Sequence, residues 1–284
     1  MTPGQRAEIE AALGTGLAAV TPRAGGDINR AYRLSTDDGR ALFAKVHDRP
    51  PPGMFEAEAD GLRWLAAANA LRVPDVLAVC PHALVLEDLG DGRGGPEHDE
   101  ALGLGLAGVH RAGAPAFGWT RDNTIGTLPQ DNRPAESWPS FYAHRRLGPQ
   151  LKRAVDAGRA SPTLVRGVEG VIDRIEDLVG PPEPPARLHG DLWAGNVHTA
   201  ADGQPCLIDP AVYGGHREVD LAMMRLFGCF ADAVFYAYRG AFPLAAGWPE
   251  RVGLYQLYPL LVHVNLFGGG YGTRAAQIAG RYGG

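Results

Sequence analysis

Cysteine is scarce in this 284-residue chain, with only Cys80, Cys206 and Cys229. An odd number without metal-ligand spacing argues against a disulfide framework and reads as buried thiols in a reducing compartment. The nine histidines are scattered and form no His-Glu-x-x-His pair, which leaves a metal hydrolase without ligands. Long Lys/Arg runs are missing and the net charge is −5, so neither nucleic acid nor an anionic membrane is the expected partner. No apolar run is long and unbroken. The best one, 252–267, is interrupted by Gln256, Pro259, His263 and Asn265 and reads as a buried helix rather than a membrane span. Met1-Thr2-Pro3-Gly4-Gln5-Arg6 has neither the basic region nor the apolar core of a signal peptide, so a cytoplasmic location is expected. No internal repeat or low-complexity tract interrupts a length suited to one large domain or two lobes.

What the chain does have is a run of acceptors. Leu188-His189-Gly190-Asp191-Leu192-Trp193-Ala194-Gly195-Asn196 is followed by Cys206-Leu207-Ile208-Asp209-Pro210. Asn196 stands five positions after Asp191, and Asp209 thirteen after Asn196, room for a loop and a small hairpin. That layout sets one carboxylate beside an incoming hydroxyl, and an amide with a second carboxylate around Mg²⁺. These are the parts of a phosphoryl-transfer site, where catalysis is mostly positioning and charge neutralisation. The spacing is also that of the protein-kinase catalytic and metal loops, with Asp-Pro-Ala in place of Asp-Phe-Gly. Asp191 is the expected general base, or the acceptor that orients the hydroxyl, and an ordinary carboxylate pKa suffices for it. Asn196 and Asp209 are the expected Mg²⁺ ligands. His189 is expected to pack beneath the loop and fix its backbone, and Asp220 to cap a helix or anchor that same backbone.

Upstream, 5–17 reads as an amphipathic helix with Ile9, Leu13 and Leu17 spaced by four. Alternating 31–34, the turn Asp37-Asp38-Gly39 and 41–46 make a hairpin. At its head, Gly25 and Gly26, with Asp27 and Asn29 beside them, let the backbone approach a bulky anion. Lys45 lies within the returning strand and either faces solvent or meets a helix over 54–69. Glu58 is the partner favoured by helix phase, one turn ahead of Leu62, with Glu56 competing. Such a Lys–Glu pair holds an ammonium against the α- and β-phosphates of ATP. Strands at 76–80 and 83–89 complete a five-stranded antiparallel sheet with one crossing helix, an N-terminal lobe over 1–89. A flexible hinge at 90–96 follows, then a larger, mostly helical lobe over 97–284. By position, the Glu87 carbonyl and the Leu89 N–H could meet an adenine. Helices are expected over 98–112, 140–147, 149–157, 162–179, 217–227, 232–239, 249–266 and 273–282, with a loop over 117–139.

Several segments together resemble the fructosamine kinase (ketosamine kinase) family. They are Gly25-Gly26-Asp27-Ile28-Asn29, Lys45, Met54-Phe55-Glu56-Ala57-Glu58, Trp138-Pro139-Ser140-Phe141-Tyr142 and Arg146-Leu147-Gly148-Pro149-Gln150, followed by His189-Gly190-Asp191-Leu192-Trp193, Asp220-Leu221-Ala222-Met223 and Phe267-Gly268-Gly269-Gly270-Tyr271. The resemblance implies an α+β, protein-kinase-like bilobal fold with ATP and Mg²⁺ as cofactors. It also implies phosphorylation of a ketosamine sugar, usually at the 3-hydroxyl, in deglycation, with ribulosamines or erythrulosamines preferred over fructosamines. Asp27 stands where some members carry a cysteine, so their thiol switch is not carried over. A ketosamine pocket wants an aromatic wall and acceptors, for which Trp193, Asp122, Asn123, His263 and Asn265 are the candidates. Aminoglycoside phosphotransferases and choline kinases share His-Gly-Asp-Leu and remain an alternative, as does a nucleotide-binding pseudokinase. From Leu221 to Gly284 the only acids are Asp232 and Glu250, too few for a polycationic substrate.

Overall fold

The computed structural model describes residues 1–24 and 28–284. Helix α1 (Pro3–Leu13) opens on a capping box in which Thr2 and Gln5 satisfy each other's backbone N–H, and Gly14 at φ 68° closes it. Leu17 therefore lies beyond the helix, against the sequence expectation, and is buried at the start of β1 (Leu17–Arg23). β1 pairs with β2 (Arg30–Thr36), β2 with β3 (Ala41–Val46), and β3 with β5 (Ala83–Glu87), whose other edge takes β4 (Val76–Cys80). Every pair is antiparallel, in the order β1-β2-β3-β5-β4. Pro22, which brings no N–H, is tolerated because β1 is an edge. Across this sheet runs α2 (Met54–Ala66), burying Phe55, Ala59, Leu62 and Leu65 with Leu84 and Leu86.

The rest is mostly helical. α3 (His98–Arg111) is followed by a short hairpin, β6 (Asn123–Ile125) and β7 (Leu128–Gln130), inside the stretch expected to be a loop. Helix α4 (Trp138–Phe141) widens into a π-turn over Tyr142–Leu147 before α5 (Gly148–Asp156). The widening has a local cause: Pro149 offers no N–H to Arg145 four residues back, and the Arg146 guanidinium donates to that carbonyl instead, at 3.0 Å. The helix expected over 162–179 is interrupted at Arg174, giving α6 (Pro162–Asp173) and α7 (Ile175–Leu178). Two ribbons come next. β8 (Ala186–Leu188) pairs with β11 (Tyr213–Gly215), and between them β9 (Val197–Thr199) pairs with β10 (Pro205–Leu207). The chain ends in α8 (Glu218–Leu226), α9 (Asp232–Ala241), α10 (Trp248–Phe267) and α11 (Tyr271–Tyr282). α10 is the axis of the large core, with Leu254, Tyr255, Leu257, Tyr258, Leu260 and Leu261 all buried. Among the described residues no helix is long and apolar enough to cross a membrane.

The first residues of the segment read as a hinge are bonded to the β9–β10 ribbon. Leu89 O accepts from Ala201 N–H at 2.9 Å, Gly92 N–H donates to Thr199 O at 3.0 Å, and His198 Nε2 meets Gly90 O. Glycine is required at 92, since a Cβ there would lie 1.8 Å from Ala200 O.

A buried charge cluster ties the ribbons to the last helices. Arg217 donates twice to Glu183 and Arg251 twice to Glu218, while His216 stacks on Tyr255 with 5.3 Å between ring centres. Burial, aided by Arg251 and Arg217 and opposed by Glu183, pushes the His216 pKa down to about 4. A histidine that stays neutral when folded but titrates near 6.5 when unfolded costs stability as pH falls from about 6.5 towards 4. Between pH 7.5 and pH 5 the expected loss from this ring is about 2 kcal/mol. Urea unfolding at the two pH values measures it, and His216→Phe should shrink the difference; an equal drop in both proteins would assign it elsewhere.

Candidate active site

Lys45 leaves β3 pointing under the sheet, where its ammonium meets both Glu58 of α2 and Asp209, although Asp209 is 164 positions away. Burial works against the Lys45 charge, but the Asp209 and Glu58 carboxylates outweigh it and hold its pKa above the ordinary value. Glu58 is the partner from α2, as helix phase indicated, and Glu56 is exposed. The crossing helix can come this close to the Asp209 loop because residue 61 is glycine. A Cβ there would lie 3.2 Å from Val212 Cγ2 and 3.6 Å from Pro210 Cγ.

Asp191 and Asn196 sit between β8 and β9. Asn196 Nδ2 donates to Asp191 O at 2.8 Å, to Asp191 Oδ2 at 3.2 Å and to Asp209 O at 3.4 Å. Every partner is an acceptor, so the amide orientation is fixed and Oδ1 is left for another cation or donor. Asp209 takes φ 56°, a left-handed backbone that a non-glycine residue adopts only when its surroundings impose it. Asn196 Oδ1 and the half-exposed Asp209 carboxylate form a small, hard oxygen set. Among the described residues no group of three or more His, Cys, Asp or Glu could hold a metal by itself. Two protein oxygens nonetheless suit Mg²⁺, which keeps several waters and is shared with substrate phosphates.

The loop carrying Asp191 is held from below. Asp220, at the start of α8, accepts from His189 N–H at 2.8 Å and from Gly190 N–H at 2.9 Å. His110 of α3 completes that carboxylate at 3.1 Å. His189 donates through Nε2 to Ile208 O at 2.8 Å, and its Nδ1 faces Asp191 N–H at 3.3 Å. His189 thus joins the two loops and takes no free position in the cleft. Burial pushes the Asp191 carboxyl up to about 7, reinforced by Asp209 and Asp220 and opposed by the Asn196 amide. Burial first, and the neighbouring acids second, thus make this a stronger base than the ordinary carboxylate that would suffice for the role.

The other candidates are distributed as follows. Gly25, Gly26 and Asp27 lie outside the described residues. Asn29 is partly buried, and its Oδ1 has no partner among the described residues. The Glu87 side chain pairs with Arg72 at 2.6 Å. Trp193 is 38 % exposed and lies flat over Gly195, where a Cβ would fall 2.2 Å from the indole. Beyond it the rings continue: Phe227 stands edge-on at 6.5 Å, His263 lies 5.0 Å from Phe227, and Phe267 and Tyr271 flank His263. His263 bonds Pro259 O at 2.7 Å, and burial lowers its pKa against the opposing effect of that bond. Three candidates are bonded within the fold instead, Asp122 exposed and Asn123 and Asn265 partly buried. Asp122 accepts from Asn132 N–H, Asn123 is bonded to Val212 O, Gln130 and Asn132, and Asn265 donates to Gln150. These bonds commit their donors to the fold. Sequence reading placed Gln130 in the 117–139 loop without a role and did not find Asn132 or Tyr258, each buried and polar, because isolated polar residues in a loop or helix carry no periodic signal.

Lobe, sheet, crossing helix and ribbons define an α+β protein-kinase-like phosphotransferase fold. A macrolide 2′-phosphotransferase type I shares it with a TM-score of 0.66 at 16 % identity, over 99 % of this chain and 98 % of that one. The profile of the family described as fructosamine kinase matches residues 1–282, and the chain belongs to that family and is a kinase. It is 37 % identical to the chloroplastic protein-ribulosamine 3-kinase of Arabidopsis thaliana over 91 % of this chain and 80 % of that protein. A crystal structure from Thermobifida fusca, provisionally named a fructosamine-3-kinase, superposes with a TM-score of 0.92 at 44 % identity, over 100 % of this chain and 99 % of that one.

Proposed function

We propose that this kinase transfers the γ-phosphoryl group of ATP, with Mg²⁺, to the 3-hydroxyl of a ketosamine, a ribulosamine or erythrulosamine before a fructosamine, as a deglycation step. The observation that carries the reading is the meeting of Lys45, Glu58 and Asp209, with Asn196 joining Asp209 to Asp191. Asp191 Oδ accepts the hydrogen bond of the acceptor hydroxyl and takes its proton as the P–O bond forms, leaving ADP and a sugar phosphate. Lys45, released from Asp209, neutralises the α- and β-phosphates while Glu58 holds its ammonium in place. Asn196 Oδ1 and Asp209 would hold Mg²⁺, which offsets the charge of the triphosphate.

The family and the ring wall support this substrate class. Trp193, Phe227, His263, Phe267 and Tyr271 form a run of neighbouring rings on which, among the described residues, no Lys or Arg is stacked, a surface suited to the protonated secondary amine of a ketosamine. The 3-position is taken from the name of the Arabidopsis relative. Three free cysteines accord with a reducing cytoplasm. Coupled ADP release with ribulose-lysine, erythrulose-lysine and fructose-lysine tests the reading. Turnover of kanamycin or choline with none of these adducts would replace it.

A further inference from the structure

Arg146 is wholly buried, 0 % exposed, in the π-turn, and pairs with no carboxylate among the described residues. Its Nη1 donates to Asp131 O at 2.7 Å and to Arg145 O at 3.0 Å, and its Nη2 to Asn132 Oδ1 at 2.6 Å. Aromatic faces supply the remaining compensation, with the guanidinium carbon 3.9 Å from the Tyr213 ring centre, 4.5 Å from Phe141 and 5.4 Å from Tyr258. A buried charge held only by neutral acceptors is costly, so its contacts show what it holds.

Those contacts lead to the active centre. Asn132 Nδ2 donates to Asn123 Oδ1 at 2.8 Å, and Asn123 Nδ2 to Val212 O at 3.0 Å. Tyr258 donates to Gln130 Oε1 at 2.6 Å, and Gln130 Nε2 donates to Ala211 O at 3.0 Å. Ala211 and Val212 come two and three residues after Asp209, whose left-handed backbone is held on its other side by Asn196. Tyr213, under the guanidinium, also abuts Gly190, where a Cβ would lie 3.2 Å from the ring. One cation therefore braces both loops from below.

We infer that Arg146 is a positioning residue for the metal–nucleotide site: through Asn132, Asn123, Gln130 and Tyr258 it holds the Asp209–Val212 segment where Asp209 can share a cation with Asn196. The inference rests on the proposed role of Asp209 as a metal ligand. Calorimetry of ADP binding with and without Mg²⁺, on the full chain and on Arg146→Lys, Asn123→Ala and the double variant, tests it alongside kcat. ADP without metal should bind all four within about twofold, while the Mg²⁺ concentration for half-saturation rises about tenfold in each single variant, the usual effect of losing a residue that supports a metal ligand. The double variant should be no worse than about twofold beyond the weaker single, because both substitutions cut one chain of contacts. Unchanged Mg²⁺ dependence in a folded Arg146→Lys, or multiplying effects in the double variant, would overturn the inference and leave the site reading intact. If Arg146→Lys does not fold, Asn123→Ala decides alone, and wild-type Mg²⁺ dependence there ends the proposal. Wild type that gains no ADP affinity from Mg²⁺ removes both readings.

Discussion

Asp191→Asn is expected to lower ketosamine-dependent ADP release by about 10³-fold while leaving Mg²⁺–ADP affinity within about threefold. The amide fits the same space and can still present oxygen to Asn196 Nδ2, now 3.2 Å from Asp191 Oδ2. What remains toward the acceptor hydroxyl is then an NH₂, which neither accepts its hydrogen bond nor takes its proton. Steady-state rates with calorimetry on the same sample separate this from unfolding, and a variant with even a tenth of wild-type kcat would exclude Asp191 as base. The pH profile follows the same carboxylate. The ionised form is required, so kcat/KM should fall with acidification below about 7, the value to which burial, Asp209 and Asp220 lift it. A cation held beside it favours ionisation, so the limb in kcat at saturating Mg²⁺–ATP should lie at lower pH.

Lys45→Met is expected to cut kcat/KM for ATP by at least about 10²-fold, and it should also destabilise the ligand-free protein by about 3–5 kcal/mol. Both effects stem from its place between Glu58 and Asp209. Removing the ammonium leaves Glu58, whose pKa burial and Asp209 already raise, facing a second acid without a partner. The stability loss should therefore be largely reversed in Lys45→Met/Glu58→Leu, which removes the stranded charge, whereas activity should stay as low as in the single variant. Chemical denaturation and ATP titrations on the three proteins measure this. Recovery of activity in the double variant would mean that the lysine acts only as a structural partner.

The sequence was most informative where the spacing of polar residues is set by chemistry. Asp191, Asn196 and Asp209 lie within nineteen positions and could be read as a unit, and His189 and Asp220 meet the loop backbone as their positions indicated. Lys45 and Glu58 could be paired because strand and helix phase are local properties. Local signals failed where tertiary contacts decided. Leu17 fits a helical spacing of four, yet Gly14 ends the helix before it. Three-residue strands such as β6 and β7 are too short to show alternation. Arg146 stands out in the sequence only within a segment that resembles the family, because nothing adjacent in the chain reveals that Tyr213 and Tyr258 will close around it. Pro149, three residues after it, is the hint the local sequence offers.

The Asp220 carboxylate receives the N–H groups of His189 and Gly190 from about thirty positions downstream. During synthesis the small sheet, its crossing helix and even the loop bearing Asp191 leave the ribosome before the residue that shapes that loop. A nascent chain stalled ahead of α8 is therefore expected to retain no Mg²⁺-dependent ADP, and to acquire that capacity abruptly once α8 clears the exit tunnel. Competence to hold the nucleotide would then serve as a late timer of folding, readable on ribosome-bound chains of graded length.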